Sequence, residues 1–417
     1  MAPARCVEPG FSPLDEELEL LPGRVTPSQQ EHLVHLASWM PFAQAGQMME
    51  RLLGVQVSEA TVRRMTEGMG ACIERVQNKE TEKAAASRAG NGKPNKLVIS
   101  GDGAFVPLLG GEWAEVKMLA IGEAKPAGAA ARVRGQLVEV GDLSYVARLA
   151  TVQRFAELTQ AEVERRGVSQ APGVCAVSDG APWLQGVFDL HCPQAVRILD
   201  FAHAAQRLGS VASLSTQMGY PVAEDWLERQ CHELKEHGPT RVLAALRQLP
   251  TPVQDSPLVQ EHRAYLDKRI EQMQYPTYQQ QGWPIGSGMV ESANKLVMQA
   301  RLKGSGMHWE RAHVDPMLAL RMAACNDRWE ESWQAGSQQV QTQRARSRER
   351  LAQPRLLVVK LSVAWLLLQA RPAPPPPPSI PLLPLSPPAM LAGTSRPSPH
   401  HPWKRAVLPC PKESAKK

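Results

Sequence analysis

Residues 97–108 read LVISGDGAFVPL and residues 174–184 read VCAVSDGAPWL. Each is an apolar, β-branched run that ends in Asp-Gly, placing Asp102 and Asp179 at the ends of two predicted strands. Glycine neighbours would let a cation or a substrate backbone approach these carboxylates closely. Asp-Gly is also a hairpin signal, and Asp179 reads equally as an Asx turn or the N-cap of the next helix. A third stretch, residues 282–309, reads GWPIGSGMVESANKLVMQARLKGSGMHW and puts Glu291 in the first turn of a helix. There a glutamate also complements the helix dipole.

Outward from these stretches the texture alternates between strand and helix. EWAEVKMLAIGEA and LSYVARLA read as further strands, ATVQRFAELTQAEVERRG as a helix, and AVRILDFAHAAQRL as a strand passing into a helix. That order predicts an α/β domain with a mixed sheet over residues 97–203. Residues 204–280 are helical in pattern throughout and read as an insertion, and residues 281–335 return to the core as helices. Upstream, residues 26–80 form a helical region. Leu33, Leu36, Ala37 and Met40 make one stripe before Pro41, Gly54 is a helix stop, Ser58 is an N-cap, and Val62, Met65, Met69, Cys72, Ile73 and Val76 recur at helical spacing. This is the outline of a helix-turn-helix. Residues 1–25 read as irregular and 81–96 as a linker.

Composition limits the rest. The 417-residue chain carries a formal +6, but residues 336–417 hold 13 of its 47 Lys+Arg and 2 of its 41 Asp+Glu. The remainder, 34 basic and 39 acidic residues, leaves the first 335 at −5, so net charge says little about the folded part. Residues 371–417 contain 15 of the 36 prolines, and the segment from 336 reads as a basic, Pro-rich disordered tail. The seven cysteines are single, with no CxxC pair, which fits a reducing cytoplasm and no closed zinc site. The apolar run Leu356–Leu368 is interrupted by Lys360 and is shorter than the ~20 residues a membrane helix needs.

Three framed carboxylates in an α/β core suit divalent-metal phosphodiester chemistry. Hard oxygen donors hold Mg²⁺, and two such ions can clamp the attacking and leaving oxygens of an in-line displacement. The frames DGAFVPLLGGEWAEVKMLAIGE, SDGAPWL, RILDFAHAAQRL and GSGMVESANKLVMQARLKGSGMHW, with CNDRW downstream, resemble those of DDE transposases from bacterial insertion sequences. The resemblance covers roughly residues 11–335.

It implies an RNase H-like core with a helical insertion before the glutamate. It further implies Asp102, Asp179 and Glu291 as catalytic metal ligands for Mg²⁺ or Mn²⁺, double-stranded DNA (element ends and target) as partner, and a homo-oligomer on DNA in the cytoplasm. Two departures stand out: only Cys6 hints at the cysteine-rich stretch common near the N-terminus of such chains, and the tail from about 336 is foreign to them. A nuclease without strand transfer, or an inactive DNA-binding remnant, fits the same frames.

Other residues carry weaker signals. Asp200 is a fourth acidic group or a helix cap, and His203 reads as a hydrogen-bonded histidine. Arg63 and Arg64 lie where a recognition helix would meet DNA, or on a solvated face. Lys117, Lys295, Arg301, Lys303, His308 and Trp309 are candidate DNA contacts, and Trp113 reads as core.

Overall fold

The computed structural model describes residues 25–84, 95–129, 137–343 and 345–346. Residues 1–24 of the irregular N-terminal segment, Cys6 among them, most of the linker, the Pro-rich stretch and the apolar run Leu356–Leu368 lie outside them. Among the described residues no helix is long and apolar enough to cross a membrane.

Three helices come first: α1 (Pro27–Trp39), α2 (Phe42–Leu53) and α3 (Glu59–Ala84). Their ends follow the sequence. Thr26 and Gln29 form a capping box on α1, Gly54 takes the left-handed conformation after α2, and the Ser58 hydroxyl accepts from the Thr61 N–H at the start of α3. The last of these helices runs four residues into the expected linker.

The core is a five-stranded sheet: β1 (Leu97–Pro107), β2 (Trp113–Pro126), β3 (Val138–Arg148), β4 (Val174–Ser178) and β5 (Val196–Leu199). Its order is β3-β2-β1-β4-β5. The β1–β2 and β2–β3 pairs are antiparallel, and the β1–β4 and β4–β5 pairs are parallel. This is the RNase H-like mixed sheet that the sequence led us to expect. Parallel neighbours make strands buried on both faces, which is why LVI and VCAV are continuously apolar rather than alternating. Helices α4 (Val152–Arg165) and α5 (Pro182–His191) connect the later strands.

Residues 201–280 contain no strand. They form α6 (Phe201–Gln217), α7 (Trp226–His237), α8 (Pro239–Arg247), α9 (Thr251–Gln254), α10 (Pro257–Asp267) and α11 (Tyr275–Gln280). The chain then enters α12 (Gly288–Ala293), a π-helical turn at Asn294–Gln299, the short α13 (Ala300–Leu302) and α14 (Arg311–Cys325).

The tail does not begin where composition changes. Residues 329–343 are helical. Trp333 and Val340 pack on the core, and Gly336 sits against Met69 and Ile73 of α3. Residues 336–343 therefore belong to the folded body, because their apolar positions share one helix face. Just upstream, the Asn326 side chain accepts from the Tyr145 N–H at 2.8 Å and donates to the Tyr145 carbonyl at 3.0 Å, covering part of the open β3 edge.

Helices α3 and α14 pack closely at Gly70. A Cβ there would lie 2.5 Å from the Pro316 carbonyl oxygen, which is backbone and cannot rotate away. Gly70→Ala should therefore force the helices apart and lower stability by about 1–3 kcal/mol, despite alanine's better helix propensity. A denaturant midpoint equal to that of the unmodified protein would show that the two helices separate freely.

Candidate active site

Strand register places the acidic residues. Ser100 pairs with Val177, and Ser178 pairs with Leu199. Carrying both registers one or two residues onward sets Asp102, Asp179 and Asp200 side by side across three neighbouring strands. Asp102 does not end its strand, as the sequence suggested. β1 continues to Pro107 and stays paired with β2, Asp102 opposite Met118. What ends is the parallel pairing with β4, whose last pair is Ser100 with Val177, and Asp102 lies half-buried just beyond it. The hairpin lies further on, where Gly110 and Gly111 take positive φ. Gly101 permits close packing on the opposite face, since a Cβ there would meet the Leu184 side chain at 2.2 Å.

The Asp102 carboxylate accepts from the Gly103 N–H at 2.8 Å and from the Asn294 side-chain amide at 2.7 Å. Burial raises its pKa above the ordinary value, and the Asp179 and Glu291 charges push the same way. The Gly103 N–H and His203 oppose them. Both expected partners thus bear electrostatically on Asp102. Asp179 makes the Asx turn, its Oδ1 accepting from the Ala181 N–H at 2.8 Å. Glu291 stands exposed in the first turn of α12.

Asp200 is buried and caps α6, accepting from the Ala202 N–H at 2.9 Å, His203 Nδ1 at 3.1 Å and the Ser287 hydroxyl. Burial alone would raise its carboxyl. The hydrogen bonds from His203, Ser287 and Ala202 outweigh it and hold the pKa low. The bond to Asp200 raises the pKa of His203, and the Asp179 and Asp102 charges add to the effect. A raised histidine pKa adds stability that is complete below about pH 6.5, the unfolded value, and fades as pH climbs through the higher folded value. In an NMR titration His203 should have a midpoint above 6.5, and Asp200→Asn should lower it. An unchanged midpoint would mean that the carboxylate does not hold the proton on the ring.

Asn294, Ser287 and the π-helical turn were not singled out in the sequence. Asn294 lies three positions after Glu291 on the same helical stretch, which is the signal that was present. The π-helical turn widens the backbone there, a feature frequent at functional sites.

Several expected DNA contacts are placed otherwise. Arg301 is only 2% exposed. Its Nε donates to the Ala37 carbonyl at 2.8 Å and its guanidinium lies over the Phe42 and Trp309 rings, so it ties α13 to the N-terminal helices. Burial brings its pKa down to about 10, with the Arg321 charge contributing. Trp309 is buried and donates from Nε1 to the Leu302 carbonyl at 3.0 Å. Lys117 is largely enclosed, paired with Glu115 at 2.8 Å and lying over the Trp183 ring. Trp113 is not core but 59% exposed, because it pairs with Pro107 at the turn end of the hairpin, with Lys303 over its ring at 5.7 Å. Arg63, Arg64, Lys295, Lys303 and His308 are exposed. Arg63 pairs with Glu67 at 2.9 Å.

In type, the carboxylates fit a hard divalent cation, which takes oxygen ligands and would relieve the repulsion on Asp102. Among the described residues, however, no three His, Cys, Asp or Glu side chains stand close enough together to hold an ion. The charges are gathered, but a ligand cage is not.

The chain is similar to a solved structure of the Drosophila P element transposase strand transfer complex, at 8% identity and a TM-score of 0.34, over 76% of this chain and 96% of that one. No curated protein matches it. The profile of one family spans residues 12–338, and the chain belongs to that family, described as Uncharacterised protein family (UPF0236).

Proposed function

We propose that the protein is a DNA transposase of the DDE type, which cleaves phosphodiester bonds at the ends of its element and joins the freed 3′-hydroxyl ends to target DNA. The observation that supports this reading is the place where the parallel pairing of β1 with β4 ends. Carried two residues past its last pair, the β1–β4 register sets Asp102 beside Asp179, and the Glu291 charge adds to the rise in the Asp102 pKa, whose largest cause is burial.

Asp102, Asp179 and Glu291 would hold Mg²⁺ or Mn²⁺ once drawn closer together than they stand here. Bound there, the metal would activate the attacking oxygen and stabilise the leaving one. The chain's own residues prepare the site. Asn294 and the Gly103 N–H fix the Asp102 carboxylate, the Asx turn aims that of Asp179, and the buried Asp200 accepts from His203 and raises the pKa of its ring. The exposed cations Lys295, Lys303, Arg63 and Arg64 would meet the phosphate backbone, which sets affinity and its salt dependence. Assembly as a homo-oligomer on paired DNA ends and a cytoplasmic location belong to the same proposal.

The test is a duplex carrying the element's end sequence, incubated with the full chain and Mg²⁺, alongside a pre-cut duplex with a free 3′-hydroxyl and a target plasmid. Cleavage and joining are both expected. Cleavage without joining would replace the reading with a nuclease, and metal-independent cleavage would sink it.

A further inference from the structure

The turn that carries Asp179 is held from outside the sheet by the helical segment. Gly180 sits in this turn with φ +79°, and a Cβ there would lie 2.3 Å from Arg269 Nε. Arg269 Nη2 donates to the Gly180 carbonyl at 2.7 Å, and Nη1 donates to the Tyr265 carbonyl at 3.0 Å. The Tyr265 hydroxyl donates to the Asp179 carbonyl. The Arg269 guanidinium stacks on the Tyr265 ring at 3.8 Å, and the Arg207 guanidinium, from α6, lies 4.3 Å from the same ring. Two successive carbonyls of a three-residue turn are therefore fixed by side chains more than eighty residues away, while the Asp179 carboxylate accepts from the nearby Ala181 N–H.

We infer that Tyr265 and Arg269 are positioning residues for Asp179, so that the helical segment sets the geometry of the catalytic turn. This rests on the transposase reading for its consequence, but not for its geometry. Peptide planes at 179 and 180 can flip unless their carbonyls are held, and a flip would redirect the carboxylate. An error of about 1 Å in such a group costs on the order of 100-fold in rate. The glycine is required on two counts, the positive φ and the space that Arg269 fills.

The test uses the full chain with Arg269→Ala, Arg269→Lys and Tyr265→Phe, read by hydrogen exchange and by cleavage of end duplex. In Arg269→Ala, exchange at residues 179–181 should rise at least about tenfold while β1 and β4 stay protected, which a merely structural role would not produce. The cleavage kcat should fall roughly 100-fold with KM for DNA unchanged. Arg269→Lys should recover only part, because one ammonium cannot serve both carbonyls in the planes that the guanidinium spans. Tyr265→Phe should act in the same direction, more weakly.

Unchanged exchange at the turn, or a uniform rise across the sheet, would overturn the inference, as would a loss confined to KM. Absence of cleavage by the unmodified protein would count against the transposase reading alone, and the exchange result would then decide the inference.

Discussion

Asp179→Asn is expected to abolish metal-dependent DNA cleavage, by about 10³-fold or more, while leaving duplex binding close to that of the unmodified protein. The substitution is nearly isosteric, and the amide oxygen can still accept from the Ala181 N–H, so the turn and the fold survive. What it removes is one negative charge from a site whose proposed chemistry depends on gathering cations. A loss of about 4 kcal/mol of transition-state stabilisation is a factor of roughly 10³. Binding should persist because phosphate contacts come from exposed cations elsewhere. A secondary sign should accompany the loss. Burial, the largest cause of the raised Asp102 pKa, remains, but the Asp179 contribution goes, so the Asp102 carboxyl should titrate lower. Retained cleavage in the purified variant would end the assignment of Asp179.

Arg321→Ala should cost about 3–5 kcal/mol of stability, a large share of the 5–15 kcal/mol that a folded domain has to spare. Arg321 is fully buried on α14. Its guanidinium donates to the Ser38 carbonyl at 3.2 Å, the Val297 carbonyl at 3.2 Å and the Leu296 carbonyl, and it stacks on Trp39 at 3.9 Å. Alanine leaves three carbonyls without this donor and opens a cavity between α1, α14 and the π-helical turn. Lysine should restore little, since one ammonium cannot serve three diverging acceptors. Because the π-helical turn carries Asn294, which bonds Asp102, the variant should also lose activity below its unfolding temperature. Chemical denaturation measures the first effect. A shift under about 1 kcal/mol would show that the carbonyls find water or other donors.

Legibility differed from place to place, for physical reasons. Two helix ends in the first 84 residues were readable because Gly54 and Ser58 act locally. The sheet strands were readable because burial on two faces leaves a continuous apolar run. Arg301, Trp309 and Trp113 were misread because sequence cannot say which face of an element another element covers. Arg301 looks like any basic helix residue until the Ala37 carbonyl and two aromatic rings close over it. Trp113 looks like core until the hairpin carries it past the edge of the sheet. The tail was placed too early because composition averages over a boundary, whereas Trp333, Gly336 and Val340 pack one residue at a time.

By itself the sequence determined the element types, the α/β order, the helical segment before Glu291 and the three acidic frames, because periodicity, caps and glycine-flanked aspartates act over a few residues. Only the tertiary structure decided the rest. It put Asp102 in mid-strand beside Asp179 and Asp200, paired Asn294 with Asp102, and laid Tyr265 and Arg269 against the turn of Asp179. Each of these depends on strand register or on contacts across scores of residues, and no local rule encodes which carbonyl a distant arginine will meet.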